Sequence, residues 1–130
     1  MSNDEDAVKL FVVIYDQGVG FKHWALFVDD REKFIVLHAI GSEGRFRFEE
    51  RKSNARESKR DPELVELATI DKDQIPRLRR AARRQPLNRG PGWNCQDFVL
   101  ELVQEAIDNG MIEVDDEKVK EIRGKMDGFE

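Results

Sequence analysis

The chain is poor in the residues that build covalent or metal-held frameworks. It has one cysteine and two histidines. A single cysteine excludes an internal disulfide, and one thiol with two imidazoles falls short of a comfortable structural zinc set. Long apolar runs are missing too: none approaches the roughly 18 residues that a transmembrane helix needs. The opening stretch, MSNDEDAVKL, is acidic and polar and does not resemble a secretory signal peptide. Positive charge is not in excess. Lys and Arg number 22 against 27 Asp and Glu, a net charge of −5, which argues against general nucleic-acid binding. These absences lead to the expectation of a soluble, intracellular (cytoplasmic) protein whose thiol stays reduced.

What is present suits one domain of 130 residues, 39% apolar and 38% charged: a modest core under a heavily solvated surface. VKLFVVIYD (8–16) reads as a first strand, followed by a turn at QGVG. KHWALFVDD and KFIVLHAIG read as an antiparallel hairpin around Asp30 and Arg31. GRFRFEERK alternates Arg and Phe in the manner of a half-buried strand, and ELVELATI (63–70) reads as another. The charged segment 52–62 reads as a loop with a tendency to disorder. DKDQIPRLRRAARRQP reads as a helix capped by an Asp, with Pro76 tolerated in its first turn. From Asn94 to about Asp108, Phe98, Val99, Leu102, Val103, Ala106 and Ile107 recur at helical spacing, and Gly110 is the expected left-handed cap. Strands first and helices after suggest α+β, an antiparallel sheet packed against helices. The expected organisation is a disordered 1–6, a domain over 7–112, and a C-terminal exposed helix and tail over 113–130.

Both histidines fall in the hairpin. If its turn centres between Asp30 and Arg31, paired residue numbers sum to 61 and His23 faces His38. Opposed residues share a sheet face, with Cβ atoms roughly 4.5–5.5 Å apart. A slip of one residue would send the imidazoles to opposite faces. Alone, a strand histidine is more often a satisfied core or edge side chain; two of them side by side weaken that reading.

Cys95 stands where the loop GPGWN gives way to a helix. The first turn of a helix offers unpaired N–H groups and the positive end of the macrodipole, which favour an anion. A thiol there, beside an imidazole, fits an activated nucleophile, and the same N–H groups can help bind an oxyanion. The alternative is a buried small hydrophobe, because positions 95, 98, 99, 102 and 106 share one face.

HWALFV on a strand, a second histidine on the next strand, and NCQDFV opening a later helix resemble the permuted NlpC-type papain-like cysteine hydrolases. The nearest branch in motif is that of lecithin:retinol acyltransferase, which carries an HWA-type strand and an NCEHFV-type helix start. The resemblance covers roughly residues 8 to 108. It implies a circularly permuted papain-like fold, with Cys95 as nucleophile, His23 as general base and His38 orienting the base. Asn94, Phe98 and Val99 match framework positions, and Asn94 and Gln96 stand on the oxyanion side of the nucleophile. The implied reaction is hydrolysis or acyl transfer through a thioester acyl-enzyme, needing no metal or organic cofactor, on an acyl, peptide or isopeptide substrate. Gln96 and Asp97 depart from the branch's Glu and His, the His23–His38 spacing is long, and the hydrophobic anchor of the lipid-acting members is replaced by an acidic helix. The PPPDE-type isopeptidases, another permuted branch with an NC-led helix, are an alternative. A catalytically silent binding module of the same fold is another.

Trp24 and Trp93 flank His23 and Cys95 and are candidate walls of a substrate cleft. The run RLRRAARR (77–84) suits an anionic partner or, more simply, a solvated helix face with its stems over the core. The Arg–Phe alternation at 45–48 suits stacking on nucleic acid less well than a strand. Asp29, Asp30 and Glu32 read as turn residues, not a metal site.

Overall fold

The computed structural model describes residues 7–16 and 22–126. The disordered N-terminus and the QGVG turn expected from the sequence lie outside the described residues. Five strands form one antiparallel sheet: β1 (Ala7–Tyr15), β2 (His23–Asp29), β3 (Phe34–Ile40), β4 (Arg47–Arg51) and β5 (Glu63–Asp71), in the order β4-β3-β2-β1-β5. Three helices follow: α1 (Ile75–Arg84), α2 (Cys95–Asp108) and α3 (Asp116–Arg123). The architecture is α+β, as the order of periodicities suggested.

The central strands β1, β2 and β3 are apolar on both faces because both faces are covered. On one face, Leu10, Val12, Trp24, Leu26 and Leu37 pack with Leu78, Phe98, Leu102 and Ile122 in the main core. On the other, Phe11, Val13, Ala25, Phe27 and Val36 form a smaller cluster closed by Ala55. Ala55 belongs to the charged segment between β4 and β5. That segment is ordered, contrary to the expectation of disorder, and includes a short 3-10 turn at Ala55–Glu57. Arg56 anchors it: its guanidinium lies 5.1 and 5.3 Å from the ring centroids of Phe11 and Phe27 and bonds Asp29 at 2.7 Å. Charged side chains can hold a strap onto a sheet face when their flat cations cover aromatic rings.

The arginine helix resolves into internal bonding. Leu78, Ala81 and Ala82 face the core, while Arg79 makes a two-pronged bond with Glu50, at 3.0 and 2.6 Å. Arg84 reaches Glu105, and Arg77 reaches Gln74 and the Asn109 carbonyl. A 3-10 turn (Lys72–Gln74) precedes α1, whose N-cap is Gln74 without a side-chain cap bond, rather than an Asp; Pro76 does sit in its first turn. Gly110 takes φ 73°, the expected left-handed cap of α2. The C-terminal helix is less exposed than its sequence suggests, because Ile122 is buried in the main core. Among the described residues no helix is long and apolar enough to cross a membrane.

Candidate active site

The hairpin register differs from the expected one. Leu26 pairs with Leu37 and Asp29 with Phe34, so paired numbers sum to 63 and the turn centres one residue later. The cause is the loop Asp30–Lys33, in which Asp30 N donates to Lys33 O and Arg31 takes φ 67°. The correction is an even one. Because side chains alternate with period two, a shift of two keeps both histidines on one face, as diagonal rather than direct neighbours. His23 shares its face with Ala25 and Phe27, and His38 with Val36. Their rings stand 5.0 Å apart, and His23 Nε2 lies 2.8 Å from His38 Nδ1.

The chain of hydrogen bonds continues through a residue that sequence reasoning missed. On β4, Glu49 pairs with His38 across the sheet, and its Oε1 lies 2.6 Å from His38 Nε2. A carboxylate only accepts, so His38 carries its proton on Nε2 and presents a lone pair at Nδ1. His23 Nε2 then donates to His38, which leaves His23 Nδ1 as an open base. Arg51 bonds the same Glu49 oxygen at 3.0 Å. Glu49 was legible only as one of two adjacent acids in RFRFEERK. Selecting it requires knowing that β4 pairs with β3 and in which register.

Electrostatics keep both imidazoles neutral at rest, beside an ionised Glu49. Burial, then the neighbouring His38, pushes His23 down from 6.5 to about 4. Burial also lowers His38, against the pull of Glu49. The Glu49 carboxyl is held below its usual range, chiefly by the hydrogen bond from His38.

Cys95 is 1% exposed and opens α2. Its thiol points at the Lys22 carbonyl, 4.0 Å away. Burial pushes it up to about 11, opposed by N–H groups of Trp24, Cys95 and Gln96. The helix start is built tightly. Asn94 Oδ1 accepts from Gln96 N at 2.8 Å, and Asp97 Oδ2 accepts from Asn94 N at 2.9 Å. This is a capping box, with Asp in the position where Glu or Gln is commoner. The departure at Asp97 therefore has a structural role. Gln96 is buried, and its amide donates to the Lys22 carbonyl at 2.9 Å, fastening α2 to the start of β2. The amides of Asn94 and Gln96 are thus turned to the Gly92 and Lys22 carbonyls, as framework, and not into the cavity.

His23, His38 and Cys95 meet at a cavity of about 630 Å³. It wraps the end of β2 and β3, so that Cys95 and Phe46 reach it from the helix-side core and the histidines, Tyr15 and Val36 from the other face. Gly41 turns the chain at its edge: φ is 127°, and a Cβ there would lie 2.8 Å from the Arg45 carbonyl oxygen. The two tryptophans, expected as cleft walls, are placed elsewhere. Trp24 points from β2 into the main core at 0% exposure, because neighbours on a strand alternate faces. Trp93 packs edge-on against Phe46 at 5.7 Å and its Nε1 donates to Glu101. Asp29 serves the Arg56 anchor, and among the described residues no cluster of acids, histidines and cysteine suits a metal ion.

No curated protein and no solved structure matches the chain. The model of a family of unknown function, DUF6540, matches residues 10–113. The match spans most of the chain and takes in β2 to α2, with His23, His38, Glu49 and Cys95 all inside it, so the protein belongs to this family.

Proposed function

We propose that the protein is a cysteine hydrolase or acyltransferase of papain-like mechanism on a circularly permuted papain-like fold. Cys95 is the nucleophile, His23 the general base, His38 the residue that orients the base, and Glu49 the anchor of His38. The observation that carries this reading is the directed chain Glu49–His38–His23, which ends in an open base at the cavity that Cys95 also lines. A carboxylate behind two imidazoles fixes both tautomers and favours positive charge on His23 once it takes a proton. The order of the motifs, strand histidine first and helix-start cysteine last, is that of the permuted families.

At rest the thiol and His23 are both neutral. On attack, Sγ forms a bond to the substrate carbonyl carbon while its proton passes to His23 Nδ1. The leaving group takes that proton as the tetrahedral adduct collapses to a thioester. Water, an amine or an alcohol then gives its proton to His23 as it attacks the thioester carbonyl, and the departing Cys95 sulfur takes that proton back, which restores the neutral thiol and imidazole.

The test is acylation by p-nitrophenyl acetate. A burst of nitrophenol with an acetyl adduct on Cys95, seen by intact mass, is expected in wild type and lost in Cys95→Ala and His23→Ala. Turnover at wild-type rate in both variants would overturn the reading. A second reading, a catalytically silent module of the same fold, is favoured by one observation: burial holds the thiol near 11, where it is no better than an inert core cysteine. Absence of any acyl adduct in the folded wild-type protein would decide for it.

A further inference from the structure

Part of the cavity wall comes from the strap between β4 and β5, which supplies Ser53, Asn54, Glu57, Ser58 and Arg60. Several arginines outside the cavity lining are committed to carboxylates: Arg56 to Asp29, Arg79 and Arg83 to Glu50, Arg84 to Glu105, Arg89 to Glu101. Arg60 lines the cavity and, among the described residues, has no carboxylate within ion-pair distance. Arg51 lines it too, and shares its one carboxylate, Glu49, with His38. Both arginines line the same cavity as His23 and Tyr15, and their charges oppose a positive ring on His23. Against these two cations the wall carries one acid, Glu57. Arg51 is balanced by Glu49, so Arg60 is, among the described residues, the cation of this wall without an ion-pair partner, beside an apolar surface of Val36, Ile40 and Phe46.

We propose that the cavity takes an acyl compound bearing a second, anionic group, a carboxylate or a phosphate, with that group on Arg60 and Arg51 and the acyl chain on Val36, Ile40 and Phe46. This inference rests on the proposed reaction for its acyl group, but the anion site stands on the arginines themselves. A guanidinium without a protein carboxylate offers a planar fork of donors that matches either anion. Selection between substrates would then follow from the strap, while chemistry follows from the strands and α2.

The test reads binding in Cys95→Ala, where no acylation occurs, so its outcome is independent of whether Cys95 is a nucleophile. Monoethyl glutarate and diethyl glutarate differ by one anionic charge. Titrated into that protein and followed by amide NMR, the half-ester should bind about tenfold more tightly than the diester, the scale of one charge-assisted hydrogen-bonded pair. Adding Arg60→Gln should remove most of that preference and Arg60→Lys should keep part of it. Arg84→Gln, which deletes the same charge on α1, should leave it intact. Displacement of the half-ester by inorganic phosphate would assign the site to phosphate-bearing substrates, and failure of phosphate to compete would assign it to carboxylates. Equal affinity for the two esters, or a preference that survives Arg60→Gln, would overturn the proposal.

Discussion

Acid should loosen this fold through His23 before it titrates most of the carboxylates. In the unfolded chain His23 takes a proton near 6.5, whereas in the fold it resists until about 4. Burial is the first cause. The neighbouring His38, Arg60 and Arg51 also oppose a positive ring, and only Glu49 favours it. The sign follows from proton counting. Above pH 6.5 the ring is neutral in both states and contributes nothing to pH dependence. Between 6.5 and about 4 the unfolded state binds more protons, so stability falls as pH falls, and below 4 this contribution levels off. At about 1.4 kcal/mol for each tenfold step, the full loss is about 3 kcal/mol. About 2 kcal/mol of it accrues by roughly pH 5, above the window in which the Glu49 carboxyl matters. Buried His38, lowered by the same desolvation, acts in the same direction. Urea unfolding at about pH 7.5 and pH 5, followed by tryptophan fluorescence, measures the difference. His23→Gln, whose amide can still donate to His38 Nδ1, should remove the larger part of the pH slope. An identical slope in wild type and His23→Gln would refute the buried, neutral imidazole pair.

Glu49→Gln keeps a hydrogen-bond partner for His38 but removes its charge. Acylation by p-nitrophenyl acetate should slow by about 10- to 100-fold in kcat with little change in KM, the scale of a charge-assisted hydrogen bond of about 1.5–3 kcal/mol. A change confined to KM would show that Glu49 shapes the cavity instead. Alkylation of Cys95 by iodoacetamide should be slow at neutral pH and rise with a midpoint near 11, as burial dictates. A midpoint below 7 would mean that a thiolate–imidazolium pair already exists at rest. Asp97→Ala removes one half of the capping box and should cost about 1 kcal/mol in urea denaturation. An unchanged midpoint would remove Asp97 from the framework of the helix start.

Much of the fold lay in local patterning. Alternation and β-branched runs located the strands, helical spacing located α2, and the loop GPGWN before an apolar stripe located the helix start at Cys95. The even parity of the hairpin survived a mistaken turn centre, because side-chain direction depends only on whether the register shift is odd or even. The segment 52–62 was misread because its charges, which look solvated in sequence, find rings and carboxylates in space: Arg56 covers Phe11 and Phe27 and meets Asp29.

By itself, the sequence determined that one thiol and two imidazoles are the only such groups available, that the thiol begins a helix, and that the imidazoles lie on adjacent strands. Only tertiary structure decided which acid completes the chain, since Glu49 meets His38 through the pairing of β3 with β4 and is one carboxylate among several in sequence. It also decided that Trp24 is core and not cleft, that the cavity is lined from both faces of the sheet, and that Arg60 lines it without a carboxylate partner among the described residues. These are long-range facts. They arise from non-local contacts that satisfy burial, hydrogen bonding and charge together, and no window along the chain contains them.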